Sequence, residues 1–454
     1  MRKLSIFSLL MSTWIFLSCA SYQTTVQQPE PGPLLSQYVP AGIAHQPVAK
    51  DTLTFEEPTG TLTLKQALSL ALLKNPELQA FSYEIRTREA LALQASLLPN
   101  PELDIEVENF AGGKGVQGFE ATETTFQISQ LILLAGKRAK RTRAAVLEAD
   151  LAAQEYEVMR TLIFKDVVQA YVAVLAAQEK VALNQELLRI AQAFVESIDR
   201  RVRAGKISPA EAARARVALS NTELQLEQSR IELAAAKQQL AATWGSDRPA
   251  FDRVVGKLDT ITATLPPQEA LEKLLLQNPL MVRQALAIKQ RQATLALERA
   301  NRIPDGILSA GIRQLNEINT RAFVMGLSIP LTIFDRNQGM IQAARYQVLQ
   351  ARQQKRATEI QLKSQLAESY ARLKIAHSNV LILRNKILPQ AQKAFDTIQE
   401  GYLMGKFDFL DVLDAQRTLF EVRARYLDAL QQYHASVAEV ETLINQPLTE
   451  VSVE

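Results

Sequence analysis

The spacing of apolar residues along this chain switches between a helical period and a period of two. Behind the capping-box pattern Thr63-Leu-Lys-Gln66, Ala67, Leu68, Ala71 and Leu72 recur at helical spacing. Asn75-Pro76 stops that helix and opens another, with Asn75 as N-cap and Pro76 at the first helical position. The second helix is predicted to run to about Leu98, where Pro99-Asn100-Pro101 ends it. In Glu102 to Asn109, Leu103, Ile105 and Val107 then point one way, while Asp104, Glu106 and Glu108 point the other. A Gly-rich loop, Ala111 to Gly118, separates this strand from a second one around Thr124 to Gln130, with Phe126 and Ile128 on its apolar face. Such alternation writes either a surface hairpin or a membrane strand, which needs about 9–11 residues.

The helical period returns after Gly136. No Gly or Pro occurs from Lys137 to Ala204, which predicts a helix of about 67 residues and roughly 100 Å. That length requires a coiled-coil-like partner. Gly205 supplies the turn. Ser208-Pro209-Ala210-Glu211 starts the next helix as N-cap, first-position Pro and reciprocal Glu, and that helix ends near Trp244-Gly245.

The plan then repeats. Asn278-Pro279 matches Asn75-Pro76, and Ile303-Pro-Asp-Gly306 matches the break at Pro99 to Pro101. Ile307 to Arg313 and Ala322 to Ile329 are the corresponding strands. A second long helix is predicted from about Asn337 to Met404, bent at Pro389. The turn Gly405-Lys406-Phe407 lies two hundred residues after Gly205-Lys206-Ile207. A last helix follows to about Asn445, and Pro447 ends the pattern. The two short helices of each half add up to nearly the span of its long one. They are expected to stack end to end beside it, with the strand hairpins together at one end. Four lipid-facing strands cannot close a barrel, for which about eight is a practical minimum, and open edges are not tolerated in a bilayer. The chain is therefore expected to oligomerise.

Composition removes several function classes. The net charge of +3 gives no basic face for nucleic acid, and the mean hydropathy of −0.06 is too polar for a bundle of membrane helices. His45, His377 and His434 are dispersed without metal-ligand spacing, and no nucleophile, base or metal cluster stands out. No enzyme, cofactor or tight metal site is expected. At the N-terminus, Arg2 and Lys3 precede an apolar stretch from Leu4 to Leu17 that ends at Leu17-Ser-Cys-Ala20. This reads as a lipoprotein signal over residues 1–18, with Cys19, the single cysteine, as the lipidated residue. The alternative is ordinary cleavage with an incidental thiol. Residues 19–61, rich in Pro, Gln and Thr, read as a tether.

At Ala67-Leu68 with Asn75-Pro76, at the duplicated tips, and from Gly401-Tyr402 through Asp411-Val-Leu-Asp-Ala415, the chain resembles the outer membrane efflux protein (TolC) family. Leu97-Leu-Pro-Asn-Pro-Glu-Leu103, Glu108-Asn-Phe110 and Ile333-Phe-Asp-Arg-Asn-Gln-Gly339 are most similar to its heavy-metal (cobalt–zinc–cadmium type) branch. The resemblance implies a mainly α fold with a transmembrane β-barrel part, built from two repeats at 62–260 and 261–446 with a tail at 447–454. It implies a homotrimer with a twelve-stranded barrel in outer-membrane lipid and a long periplasmic α-helical barrel. That assembly is a passive exit duct, anchored at the outer membrane and served by a periplasmic adaptor and an inner-membrane pump of the resistance-nodulation-division type. Heavy-metal cations are the cargo the resemblance favours; drugs, or proteins of a type I secretion system, are alternatives.

The resemblance also marks site residues. Gly205, Lys206, Gly405 and Lys406 would face the adaptor, or be exposed turn residues only. Asp411 and Asp414 share one helix face and could ring the closed periplasmic entrance with carboxylates. Asp411 could equally complete a cap with Asp408, whereas Asp414 lies too far along to cap. Tyr402 matches a family tyrosine that holds the tip closed, and Glu211 takes the matching acidic place, where its carboxylate could accept a bond from the Tyr402 hydroxyl, unless it only closes a box with Ser208. Where some relatives carry a tip Arg this chain has Phe407. A competing reading from a different class is a lipid-anchored coiled-coil scaffold, which has no need of strand hairpins.

Overall fold

The computed structural model describes residues 57–113, 116 and 118–451. The signal reading at 1–18, Cys19, His45, nearly all of the tether and the end of the tail lie outside the described residues. In chain order the elements are β1 (Gly60–Leu62), α1 (Leu64–Lys74), α2 (Pro76–Ser96), β2 (Glu102–Glu108), β3 (Glu123–Ile132), α3 (Lys137–Arg203), α4 (Pro209–Ala242), β4 (Phe251–Val254), α5 (Gln268–Leu274), α6 (Pro279–Asn301), β5 (Gly306–Leu315), β6 (Thr320–Ser328), α7 (Gln338–Ile382), α8 (Leu388–Leu403) and α9 (Phe409–Ile444). They form two compact units, each of which draws segments from both halves of the sequence.

The first unit contains Tyr83–Ala153 and Gln284–Gln354. Its centre is a four-stranded antiparallel sheet in the order β2-β3-β5-β6, so the two hairpins join through β3 and β5. Register aligns Ile105, Phe126, Ile312 and Phe323 across all four strands. That apolar row is 58%, 51%, 46% and 91% exposed, while Thr125 and Ser129 on the opposite face are buried. The sheet is therefore inside-out relative to a soluble one, which hides its apolar face. On the polar face, Arg313 donates to Thr125 Oγ1 (2.9 Å) and to the Glu123 carboxylate (3.0 Å), and lies 3.4 Å from Glu108.

The second unit contains residues up to Ser82, Gln154–Arg283 and Lys355 onward. Its core joins Leu68, Phe164, Val167, Leu240, Leu366, Leu373 and Val440, all nearly inaccessible, from α1, α3, α4, α7 and α9. One part escapes a reading of sequence periodicity. β1 and β4 pair in parallel, and α3 clamps them side on: Gln178 takes the Val254 N–H (2.8 Å) and donates to its carbonyl (3.0 Å). The Tyr171 hydroxyl sits against the Leu62 and Val255 carbonyls.

The duplication is visible in hydrogen bonds. Asn75 caps α2 through Leu78 N–H and donates to Thr243 O, while Asn278 caps α6 through Leu280 N–H and donates to Leu443 O. Each Asn thus ties its own helix start to the end of the short helix of the same half. Asn278→Ala removes a cap and leaves the part-buried Leu443 carbonyl without this donor, so it should cost about 2 kcal/mol, read as a drop in the chemical-denaturation midpoint.

The second long helix differs from expectation. It is interrupted at Leu383–Ile387 by a π turn in which Leu388 N–H reaches back to Leu383 O. Pro389 has no N–H to donate and its ring clashes with a carbonyl one turn back, so the register widens just ahead of it. α3, without a proline, runs unbroken for 67 residues.

Candidate functional site at the hairpin tips

The two tips are built alike. Gly205 and Gly405 adopt φ of 66° and 75°, the left-handed region where a side chain is strained. In the first tip Gly205 N–H bonds to Val202 O and Lys206 N–H to Arg201 O; in the second, Gly405 N–H bonds to Tyr402 O and Lys406 N–H to Gly401 O. Both are the nested closure that satisfies the last carbonyls of a helix. Lys206 and Lys406 are exposed beside these turns.

The following helices are capped differently. At the second tip Asp408 and Asp411 exchange 3.0 Å bonds with each other's main-chain N–H groups, closing a reciprocal box. At the first, Ser208 Oγ accepts from Ala210 N–H (3.2 Å), and Glu211 N–H takes the Ser208 main-chain oxygen (3.1 Å). The box expected of Ser208 and Glu211 is not closed, because the hydroxyl has turned one residue short. Of the two acidic residues with a possible capping role, Asp411 caps and Glu211 does not.

A single apolar cluster holds the tips together. Ile198, Ala212, Ala215, Phe395, Tyr402, Phe409, Val412 and Leu419 are buried in it, and Phe194 packs against it. Phe194 stands 5.7 Å from the Tyr402 ring and 5.4 Å from Phe409, and the Arg201 guanidinium lies 4.9 Å over the Tyr402 ring. The Tyr402 hydroxyl is buried with no hydrogen-bond partner. The Tyr402–Glu211 bond is therefore not made within the chain, and a lone buried hydroxyl costs about 1–3 kcal/mol. Sequence reading singled out Tyr402 but missed Phe194, Arg201 and Phe409 around it. Phe194, eleven positions before Gly205, and Phe409, four after Gly405, were the available signal. Phe407 acts on the turn itself. A Cβ at Gly401 would strike its ring, so this pair closes the turn by contact.

Asp414 sits apart from the cap. It accepts from Arg417 Nη2 at 2.6 Å, with side chains 68% and 71% exposed. Such a pair contributes at most about 1 kcal/mol. Both residues line an open groove of about 510 Å³ between α3, α4 and α9, with Phe194, Thr222 and Leu413. The site thus offers exposed carboxylate and guanidinium groups over an apolar floor, with no nucleophile–base pair.

The remaining sequence candidates fall elsewhere. His377 Nε2 meets Thr262 O (2.9 Å) and His434 Nε2 meets Leu258 O (2.8 Å), so both pin the 258–262 segment to the helices. Burial pushes the His434 imidazole below its ordinary range. Among the described residues no group of three His, Cys, Asp or Glu could hold a metal ion.

Comparison with known proteins gives the family and the fold. The profile of the family described as "Outer membrane efflux protein" matches residues 67–246 and 270–446. The chain is 37% identical to the cobalt-zinc-cadmium resistance protein CzcC of Cupriavidus metallidurans, over 86% of this chain and 91% of that one. It is 28% identical to the nickel and cobalt resistance protein CnrC of the same organism, over 71% of this chain and 74% of that one. Its fold matches the crystal structure of the outer membrane protein VceC from Vibrio cholerae with a TM-score of 0.68, at 17% identity, over 85% of this chain and 96% of that one.

Proposed function

The chain belongs to the outer membrane efflux protein family, and from that membership we propose that it is the outer-membrane exit duct of a tripartite efflux system of the resistance-nodulation-division type. The duct passively conducts heavy-metal cations from the periplasm to the outside. The observation that carries this reading is the inside-out sheet, with its apolar row exposed and β2 and β6 left as edges. A lipid face with two open edges calls for identical neighbours, and three copies make a closed twelve-stranded barrel. Cys19 adds a lipid anchor to the same membrane. The duct does no covalent chemistry.

Metal as the cargo is supported by CzcC and CnrC, whose names state cobalt, zinc, cadmium and nickel resistance. In a trimer the tips form the periplasmic entrance. Asp414 supplies its carboxylate ring, Asp411 holds the helix start that presents the ring, and Tyr402 and Glu211 complete the closed gate with an acceptor from a neighbouring copy. Gly205, Lys206, Gly405 and Lys406 are the surface for the periplasmic adaptor, which links the duct to an inner-membrane pump.

Planar-bilayer recording of the full chain tests this. Asp414→Ala takes away a negative charge and frees Arg417, so cation-over-anion permeability should fall by about twofold or more. Arg417→Gln should raise it. If neither substitution moves the ratio, Asp414 is surface charge and the entrance lies elsewhere.

A further inference from the structure

One end of the four-stranded sheet carries an arrangement that the exit path does not use. Register places the end of β3, the start of β5 and the end of β6 side by side, through Ile132 with Gly306 and Ile307 with Ser328. The chain enters and leaves the sheet here through exposed apolar residues: Leu134, Ile303, Leu331, Ile333 and Phe334, the last 88% exposed. Interleaved with them are Arg138, Arg302 and Arg336, all exposed.

Other cations of the same stretch are already employed. Lys137 pairs with Asp305 at 2.8 Å, Lys140 bonds to Ala135 O, and Arg141 holds the Ala95 and Leu97 carbonyls at 2.9 Å. The Arg336 guanidinium donates to main-chain oxygen, at Ile333. Among the described residues no carboxylate forms an ion pair with Arg138, Arg302 or Arg336. Arg138 also borders an open groove of about 610 Å³ lined by Ser96, Thr142 and Arg143. The opposite end of the sheet has the reverse sign. Glu108 and Glu123 there share Arg313, and Glu120 and Glu317 are exposed in the connecting loops.

We propose that this junction is a binding belt for the phosphate headgroups of anionic phospholipid in the periplasmic leaflet. Arg138, Arg302 and Arg336 take phosphate oxygens, for which the guanidinium fork is suited, while Leu331 and Phe334 enter the acyl boundary. Exposed apolar groups alternating with unpaired guanidinium groups satisfy a headgroup region, which is wet, anionic and bordered by hydrocarbon. Pore water or a soluble partner does not call for both at once. The choice of leaflet rests on the duct reading, in which the helices extend into the periplasm.

The test reconstitutes the full chain into nanodiscs of phosphatidylcholine with or without phosphatidylglycerol. Native mass spectrometry counts the lipid retained on release, and heat-modifiable migration confirms that the barrel is intact. Wild type should retain phosphatidylglycerol preferentially. Each Arg→Gln change should weaken that preference roughly fivefold, and R138K/R302K/R336K should keep most of it. An intact barrel of R138Q/R302Q/R336Q with unchanged preference would overturn the belt, since these arginines would then face the pore or a neighbouring copy. Loss of retained lipid to millimolar inorganic phosphate would also overturn it, in favour of a free-anion site. A wild-type chain that enters no bilayer removes the duct reading and the belt together, whereas failure of the belt alone leaves the duct standing.

Discussion

Ile312→Lys should abolish stable membrane insertion, at a cost of about 2–4 kcal/mol per chain. Ile312 is central in the exposed row with Ile105, Phe126 and Phe323, so a lysine there cannot easily reach either interface. Three copies would carry the penalty three times over. The control is Gln127→Lys, on the polar face beside Gly311, which should insert normally. The readout is membrane fractionation with heat-modifiable migration of the oligomer. The scaffold reading expects the opposite. On a water-facing sheet, replacing an exposed isoleucine by lysine stays within about 0.5 kcal/mol and improves solubility. A soluble, elongated wild-type chain that tolerates Ile312→Lys would remove the barrel.

That prediction rests on a pattern open to inspection in the sequence. Alternation at Leu103, Ile105 and Val107 and at Phe126 and Ile128 located the strands because a period of two needs only local information. Helix limits were legible for a similar reason. Asn75, Gly205, Asn278 and Gly405 are end signals whose physics is contained within one turn. The matched Asn bonds to Thr243 and Leu443 show that the repeat seen in residue spacing is also a repeat of contacts.

What escaped reading depends on residues distant in the chain. β1 and β4 have three and four residues, too few to show a period, and are held by Tyr171 and Gln178, which lie more than a hundred residues after β1. The break ahead of Pro389 was expected as a bend; its form is a π turn, in which Leu388 N–H reaches back to Leu383 O just ahead of the ring that has no N–H of its own. At the tips, the cap of Asp411 could be written from sequence, since Asp408 lies three residues before it. That Ser208 would fail to close the same box with Glu211 could not, because a hydroxyl rotamer decides it. Nor could the unpartnered Tyr402 hydroxyl be foreseen, since its burial comes from Phe194 and Phe409 on two other helices.

Stability should fall as pH rises from about 4.5 to 7, and Glu441 should account for a separable part of the loss. Glu441 lies in the last turns of α9, where its Oε1 accepts the Leu448 N–H at 2.9 Å and so fastens the C-terminal segment past Asn445. Burial raises its carboxyl from 4.5 to about 7, against a smaller opposing pull from that hydrogen bond. In the unfolded chain the group ionises near its ordinary value. The folded state therefore holds the proton more tightly, and the stability this contributes is complete below about 4.5 and lost by about 7. The interval corresponds to about 3 kcal/mol. Glu157, also raised by burial to about 7, is a poorer place to test this, since its partner Arg160 is buried at 2.5 Å and would be stranded by its removal. Glu441→Gln keeps an oxygen for the Leu448 N–H and cannot ionise. It should match wild type at pH 4.5 and exceed it by up to about 3 kcal/mol at pH 8. Urea midpoints of the detergent-solubilised protein at the two pH values measure the difference. An equal offset at both would mean that Glu441 stays ionised when folded and acts only as the acceptor for Leu448.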